Sequence, residues 1–136
     1  MSDEHARNER NIALTRAMYE ATGSGNWEAA ADMLTDDFEA READCLPYGG
    51  TYRGRNALKE LYTKVMGMLP VKGLDIHAIT AGENRVMVLL SLVLESGEAI
   101  PLVETMRFRE DGKCCEIVPY YFNPEQVQRA AAQRAA

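Results

Sequence analysis

Four strand-length segments separated by short glycine-containing turns fill the second half of the chain, and they constrain its fold most strongly. The segments are residues 74–81, 85–95, 99–109 and 113–122. The breaks between them contain Gly82, Gly97 and Gly112 and are as short as antiparallel hairpins require. The pattern therefore predicts an antiparallel meander of four long strands.

Three helical segments precede this meander, and one further strand lies among them. The helices are predicted over residues 4–22, 26–34 and 55–69, and the strand over residues 38–44. The apolar residues of the third helix recur at i, i+3, i+4, i+7 and i+11, which is a strong amphipathic signal. Helices grouped ahead of an antiparallel sheet are typical of an α+β protein, so the sequence predicts that class.

The length and charge of the chain limit what it can be. Its 136 residues fit a single domain over residues 1–136, with residues 124–136 as a weakly docked helical tail. The formal net charge of −6 argues against a nucleic-acid partner. The longest apolar run, residues 86–94, is too short to cross a membrane. We therefore expect neither nucleic acid nor membrane as a partner.

The cysteines indicate the compartment. Cys45, Cys114 and Cys115 form an odd set, and the chain opens on polar residues that are not typical of a secretory signal. Reduced thiols and a cytoplasmic location are therefore expected. With His5 and His77 as the only histidines, no metal site is predicted, and no motif calls for a cofactor.

The second strand of the meander predicts an additional layer. Residues 86–90 are apolar at every position, so both faces of this strand should be covered. Three helices can cover only one face of the sheet. We expect a homodimer through the open face, although a loop or the C-terminal tail is an alternative cover.

Two carboxylic acids occupy strand positions where apolar residues are expected. Glu42 shares a face with Phe38 and Ala40, and Glu104 shares a face with Leu102 and Met106. Because burial raises the pKa of a carboxyl group, such acids can transfer protons near neutral pH. Glu42 is the predicted base, and Glu104 is its neighbour or oxyanion partner.

Both acids could instead have a purely structural role. Salt bridges at the rim of the sheet would neutralise them, and the candidate partners are Arg41, Arg53, Arg55 and Arg107. A register slip of one residue would instead expose both carboxyls.

Further side chains are candidates for ligand contact. Tyrosine hydroxyls can donate hydrogen bonds inside apolar cavities, although core packing is the commoner role of a tyrosine. His77 lies on a strand with Asp75 and Ile79 on its own face, where it lines either the cavity or the open sheet surface. Tyr19 lies on the first helix beside its apolar face, and it is with Tyr121 a candidate hydrogen-bond donor to a reacting group. The predicted substrate contacts are Tyr48, Tyr52, Met106, Phe38, Tyr121 and His77.

Several motifs resemble one superfamily. The first-helix tyrosine, residues 25–27 and residues 34–37 resemble the nuclear-transport-factor-2-like (NTF2-like) superfamily, which includes the ketosteroid isomerases. Residues 42–54 and 116–122 are similar to its SnoaL-like branch. The resemblance implies a conical half-barrel in which a curved, mostly antiparallel sheet wraps around three N-terminal helices.

The resemblance also implies roles for individual residues. Glu42 falls where ketosteroid isomerases carry their catalytic base, Tyr19 matches their first-helix tyrosine, and Glu104 matches their protonated oxyanion-hole acid. The implied ligand is a small hydrophobic carbonyl or polyketide-like molecule. The implied activity is cofactor-independent isomerisation, cyclisation or dehydration; the alternative is a non-catalytic binding or dimerisation module of the same fold.

Overall fold

The computed structural model describes residues 3–136, so residues 1 and 2 of the predicted domain lie outside the described residues. The helices are α1 (Asp3–Gly23), α2 (Trp27–Asp32), α3 (Ala57–Met68) and α4 (Pro124–Ala135). The strands are β1 (Leu34–Glu42), β2 (Gly50–Arg53), β3 (Val71–Gly82), β4 (Arg85–Leu94), β5 (Ala99–Phe108) and β6 (Cys114–Tyr121). The predicted α+β class is confirmed, and the predicted elements follow one another in the predicted order, with β2 as an additional strand.

The strands form one curved, unclosed sheet in the order β2-β1-β6-β5-β4-β3. All neighbouring pairs are antiparallel except β1 and β6, which run parallel. β1 begins earlier than predicted because Leu34 pairs with Cys114 of β6, and this pairing ends α2 at Asp32 instead of at Leu34. The parallel pair brings the first strand beside the last.

The helix α1 packs on the sheet through polar as well as apolar residues. Met18 and Ala21 are buried as the spacing predicts, but Asn11 and Thr15 are fully buried too. The Asn11 side-chain amide donates to Oδ1 of Asn84 at 3.1 Å, and the Thr15 hydroxyl donates to the Asn11 carbonyl at 2.8 Å. These polar groups tolerate burial because each is hydrogen-bonded, which hydrophobic spacing alone does not reveal.

The two faces of the sheet differ. On β4, Val86, Val88 and Leu90 point to the helices and are buried, whereas Met87 and Leu89 point away and are 38% and 47% exposed. We call the face that points away from the helices the outer face. It carries Met87, Leu89, Val103, Val118 and Tyr120. The core therefore lies between the inner face and the helices.

The C-terminal helix α4 begins as predicted with Asn123 at the N-cap and Pro124 in the first turn. The Asn123 side chain makes no capping hydrogen bond. Gln126 instead reaches Oε2 of Glu98 at 2.8 Å, and Val127 is fully buried in the core.

Candidate active site

A cavity of about 500 Å³ lies between the inner face of the sheet and the helices α1 and α3. The wall from α3 includes Leu58, Leu61 and Val65, which belong to the amphipathic stripe that defines this helix in the sequence. Leu90 and Leu92 of β4 continue the wall on the sheet. The cavity is therefore mostly apolar, as pockets for small organic molecules usually are.

Glu42 brings a carboxyl group into this cavity from the end of β1. Its side chain follows Phe38 and Ala40 on the inner face, and only 7% of the residue is exposed. Its Oε1 atom is buried and has no hydrogen-bond partner within residues 3–136. Burial, with a further contribution from the charge of Glu104, raises the pKa of Glu42 to about 8. Such a carboxyl gains and loses its proton near neutral pH.

Glu104 enters the same cavity from the middle of β5. Its Oε1 atom accepts a hydrogen bond of 2.6 Å from the hydroxyl of Tyr19 on α1. Burial raises the pKa of Glu104, while the hydrogen bond from Tyr19 opposes that rise. Glu104 therefore has a fixed partner where Glu42 has none.

Tyr121 adds a hydroxyl from the end of β6. The Tyr48 hydroxyl donates to the Tyr121 hydroxyl at 2.7 Å, and the Tyr52 hydroxyl donates to the Tyr48 backbone carbonyl at 2.7 Å. Because Tyr121 accepts from Tyr48, its own proton is free to be donated to another group. Burial raises the pKa of Tyr121, which keeps that proton in place.

Five of the predicted site residues line the cavity, and four do not. The five are Glu42, Glu104, Tyr19, Met106 and Tyr121. Phe38 and Tyr52 are buried in the core beside it, and Tyr48 is fully buried behind Tyr121.

His77 lies away from the cavity. A β-bulge shifts the register between Ile76 and Ala78, so Asp75 and Ile79 do not share a face. The ring of His77 turns to Ser91, with Nε2 3.2 Å from Oγ. The alternation assumed for this strand fails at the bulge, because one extra residue reverses the faces beyond it.

The arginines proposed as alternative partners of the two acids are engaged elsewhere in the described part of the chain. Arg41 and Arg107 both pair with Glu116, at 3.2 and 3.7 Å. Arg53 pairs with Glu39 at 3.8 Å, and Arg55 pairs with Asp32 at the end of α2. Neither cavity carboxyl takes part in these ion pairs.

The rim of the cavity is a part of the site that does not follow from the sequence pattern. The rim includes Tyr62 of α3 and Leu74 and Ile76 of β3, which are 39%, 43% and 40% exposed. Large apolar side chains on an edge strand and on the amphipathic helix were the available signal. Sequence spacing alone does not distinguish a packed interior from a lined cavity.

No group of three or more histidine, cysteine, aspartate or glutamate residues within residues 3–136 could hold a metal ion. No helix formed by those residues has the length and apolar character needed to cross a membrane. Cys45 is exposed, Cys114 and Cys115 are buried, and all three are free thiols.

Comparisons with solved structures show the fold. An NTF2-like protein from Burkholderia xenovorans LB400 is 22% identical, with 91% of this chain and 97% of that chain covered at a TM-score of 0.72. Bal32a, from a soil-derived mobile gene cassette, is 13% identical, with 91% and 98% covered at a TM-score of 0.77. TerC, co-crystallized with polyporic acid, is 17% identical, with 90% and 98% covered at a TM-score of 0.73.

The family is shown by the sequence itself. No curated protein matches the chain. Residues 15–117, however, match the SnoaL-like domain, and this range includes Tyr19, Glu42 and Glu104. The match covers most of the chain and agrees with the curved, unclosed sheet and with the NTF2-like structural neighbours. This chain belongs to the SnoaL-like domain family and has the NTF2-like fold.

Proposed function

We propose that this protein catalyses cofactor-independent proton transfer on a small hydrophobic carbonyl compound bound in the cavity. The observation that carries the proposal is the buried Glu42 carboxyl, whose Oε1 atom has no hydrogen-bond partner in the described chain. Leaving a buried polar atom unpaired costs free energy, so proteins retain few such atoms. A bound substrate that presents a proton to Glu42 gives this atom a partner.

Glu42 acts as the base in the proposed reaction. Its carboxylate removes a proton from the carbon next to the carbonyl, and the electrons of the broken C–H bond form the carbon–carbon double bond of an enolate. With a pKa of about 8, Glu42 is ionised in about a tenth of the molecules at pH 7. The same raised pKa makes the ionised form a stronger base than an exposed glutamate.

Glu104 and Tyr121 stabilise the negative charge that develops on the carbonyl oxygen. Burial favours the protonated form of both groups, and in that form each can donate a hydrogen bond. The hydroxyl of Tyr19 is already donated to Glu104, so Tyr19 acts by orienting that carboxyl. Tyr121 is therefore a more direct donor to the substrate than Tyr19.

The fate of the proton on Glu42 decides the product. Return of this proton to a different carbon gives an isomer. Loss of a β-hydroxyl from the enolate, as water after it takes up a proton, gives dehydration. Attack of the enolate carbon on a second carbonyl group, whose oxygen then takes up a proton, gives a ring. Isomerase, dehydratase and cyclase activities thus share the step assigned to Glu42.

A second proposal is a non-catalytic binding module that uses the same cavity. The structural neighbour TerC was crystallized with polyporic acid, which supports binding of small organic molecules by this fold. Binding alone leaves the raised pKa of Glu42 without a role, so we favour the enzyme.

Deuterium exchange into a simple ketone tests the proton-transfer proposal. Methyl hexyl ketone is incubated with the protein in D₂O, and loss of the α-proton signals is followed by proton NMR. We expect the protein to accelerate exchange, and Glu42→Gln to lower the rate by about a hundredfold to ten-thousandfold. Glu39→Gln, on the same strand but paired with Arg53, should keep the full rate. Exchange that is not faster than in buffer, with the ketone bound, would favour the binding module.

We further propose that the protein forms a homodimer in the cytoplasm through its outer face. Leu89 and Tyr120 on this face are 47% and 59% exposed, although the strands around them are long and regular. A second copy would remove these side chains from water, which is the main source of affinity in such interfaces.

A further inference from the structure

Three of the large apolar side chains that are exposed to solvent surround the mouth of the cavity. They are Tyr62, Leu74 and Ile76, each about two-fifths exposed. Scattered exposed apolar residues are ordinary, but contiguous ones beside a pocket indicate a surface that contacts a ligand. We call these three residues the apolar rim.

The rim is joined to the acidic end of the cavity by one row of residues across the sheet. Ile76 pairs with Leu90, Leu90 with Leu102, and Leu102 with Tyr121. This row crosses three strand spacings, so its two ends lie about 14 Å apart. Between them the row carries only aliphatic side chains. The Tyr121 end lies with the groups proposed to transfer protons, and the Ile76 end is an apolar surface open to water.

The charges at the mouth favour a neutral ligand. Glu20 and Lys72 also line the cavity there, and both are exposed. Their charges are opposite and give no net attraction for an ionised group. At the other end, the Glu42 carboxylate that the proposed reaction requires would repel an anionic head.

From this arrangement we propose that the ligand is an elongated, uncharged carbonyl amphiphile. Its carbonyl head lies between Glu42, Glu104 and Tyr121, and its apolar body runs along the row to the apolar rim. The proposal rests on the proton-transfer function for the position of the head. It adds that the apolar rim selects the length of the body.

The affinity of a series of methyl ketones tests this selection. Methyl butyl, methyl hexyl and methyl octyl ketone are titrated into the protein by isothermal calorimetry. Each methylene buried in the cavity or on the rim should lower Kd by roughly fourfold. The octyl compound should therefore bind on the order of a hundredfold more tightly than the butyl compound. Equal affinities across the series would overturn the proposal.

A rim variant identifies the surface responsible. In the double variant Leu74→Ser and Ile76→Ser, we expect Kd for the octyl ketone to rise at least tenfold and Kd for the butyl ketone to stay unchanged. Phe122→Ser, at an exposed apolar residue that neither lines the cavity nor belongs to the outer face, should bind both ketones as the wild type does. An equal loss with Phe122→Ser would contradict the assignment. If the double variant no longer binds the butyl ketone either, the milder single variant Leu74→Ala is tested in its place. It should raise Kd for the octyl ketone more than Kd for the butyl ketone.

The outcome can be separated from that of the deuterium-exchange experiment. Proton exchange without any dependence of Kd on chain length would overturn the elongated ligand and leave the proton-transfer proposal intact. A clear length dependence without exchange would keep the ligand class and make the protein a binding module.

Discussion

Glu42 and Glu104 are the same kind of side chain in one cavity, but their hydrogen bonds make them chemically different. Glu104 accepts a short bond from Tyr19, whereas Glu42 has a buried oxygen with no partner in the described chain. Two carboxyls in unequal surroundings can take unequal roles in proton transfer. The partnered acid is suited to a fixed donor role, and the unpartnered acid is suited to exchange its proton with a substrate.

The raised pKa of Glu42 makes stability depend on pH. Below its ordinary value of 4.5, the folded and unfolded chains are both protonated at this position. Between that value and about 8, the unfolded chain releases the proton while the folded chain keeps it. We therefore expect the free energy of unfolding to fall as pH rises through this window, by on the order of 5 kcal/mol.

Urea unfolding at a series of pH values measures this effect. Glu42→Gln should make the profile clearly flatter, and Glu28→Gln controls for the loss of one negative charge on an exposed residue. A Glu42→Gln profile as steep as that of the wild type would show that the carboxyl is solvated in the folded state.

Residue-level prediction succeeded where a strand is regular and failed where it is not. The alternation on β1 and β5 placed both acids on the inner face because those stretches of the strands contain no extra residue. His77 could not be placed in this way because the β-bulge on β3 depends on pairing with β4. The unpaired oxygen of Glu42 could not be predicted from the sequence either. It depends on the arginines being paired with other carboxylates in the folded chain.

At the scale of elements, the loop between β1 and β2 positions the tyrosine pair. Two backbone hydrogen bonds fold it tightly, from Leu46 to the Ala43 carbonyl at 3.0 Å and from Gly49 to the Leu46 carbonyl at 2.9 Å. This fold buries Tyr48 and directs its hydroxyl to Tyr121. The loop thus helps to orient the hydroxyl of Tyr121 on β6, a strand that is far from the loop in sequence.

Gly49 is the position where this loop is most sensitive to substitution. A Cβ there would lie 2.4 Å from the Ala43 carbonyl oxygen and 2.9 Å from the Asp44 Cα, both of which are backbone atoms. We expect Gly49→Ala to cost roughly 1–3 kcal/mol of stability because the backbone must move. Thermal or urea unfolding measures the change.

The matched control for this prediction is Gly67→Ala on α3. A Cβ at Gly67 meets nothing within 4 Å, and alanine favours a helix. The control should be neutral or stabilising by about 0.5–1 kcal/mol. If both variants lose similar stability, the close contact in the loop is not the cause.

Element boundaries followed from local signals except where tertiary pairing overrode them. The short glycine turns fixed the meander, and Asn26 caps α2 by accepting from the Ala29 amide at 3.2 Å. The start of β1 and its parallel pairing with β6 were not predictable, because they depend on a partner about eighty residues away. The cavity itself is a gap between elements, and no single element encodes it.

At the scale of the whole molecule, the outer face is where a second copy would bind. Its apolar side chains lie on β4, β5 and β6, which are three of the four interior strands and also carry much of the cavity wall on their inner side. An interface on this face would support the sheet directly behind the site.

A charged substitution in the middle of the outer face tests the proposed homodimer. We expect the wild type to sediment as a dimer of the 15.1 kDa chain. Leu89→Asp should sediment as a monomer, because an unpaired carboxylate in an apolar interface is costly. Leu74→Asp, with similar exposure on the rim, should remain dimeric. Analytical ultracentrifugation at micromolar concentration distinguishes these states, and a monomeric wild type would contradict the proposal.

The parallel pairing of β1 with β6 also has a consequence for how the protein matures. Glu42 is synthesised early, but its neighbouring strand, with Tyr121, leaves the ribosome only after the other five strands. Contacts between residues so distant in sequence form slowly, since a long loop must close first. A nascent chain halted before residue 114 would therefore carry Glu42 without the strand that pairs with β1, and its cavity would stay incomplete until translation had passed that point.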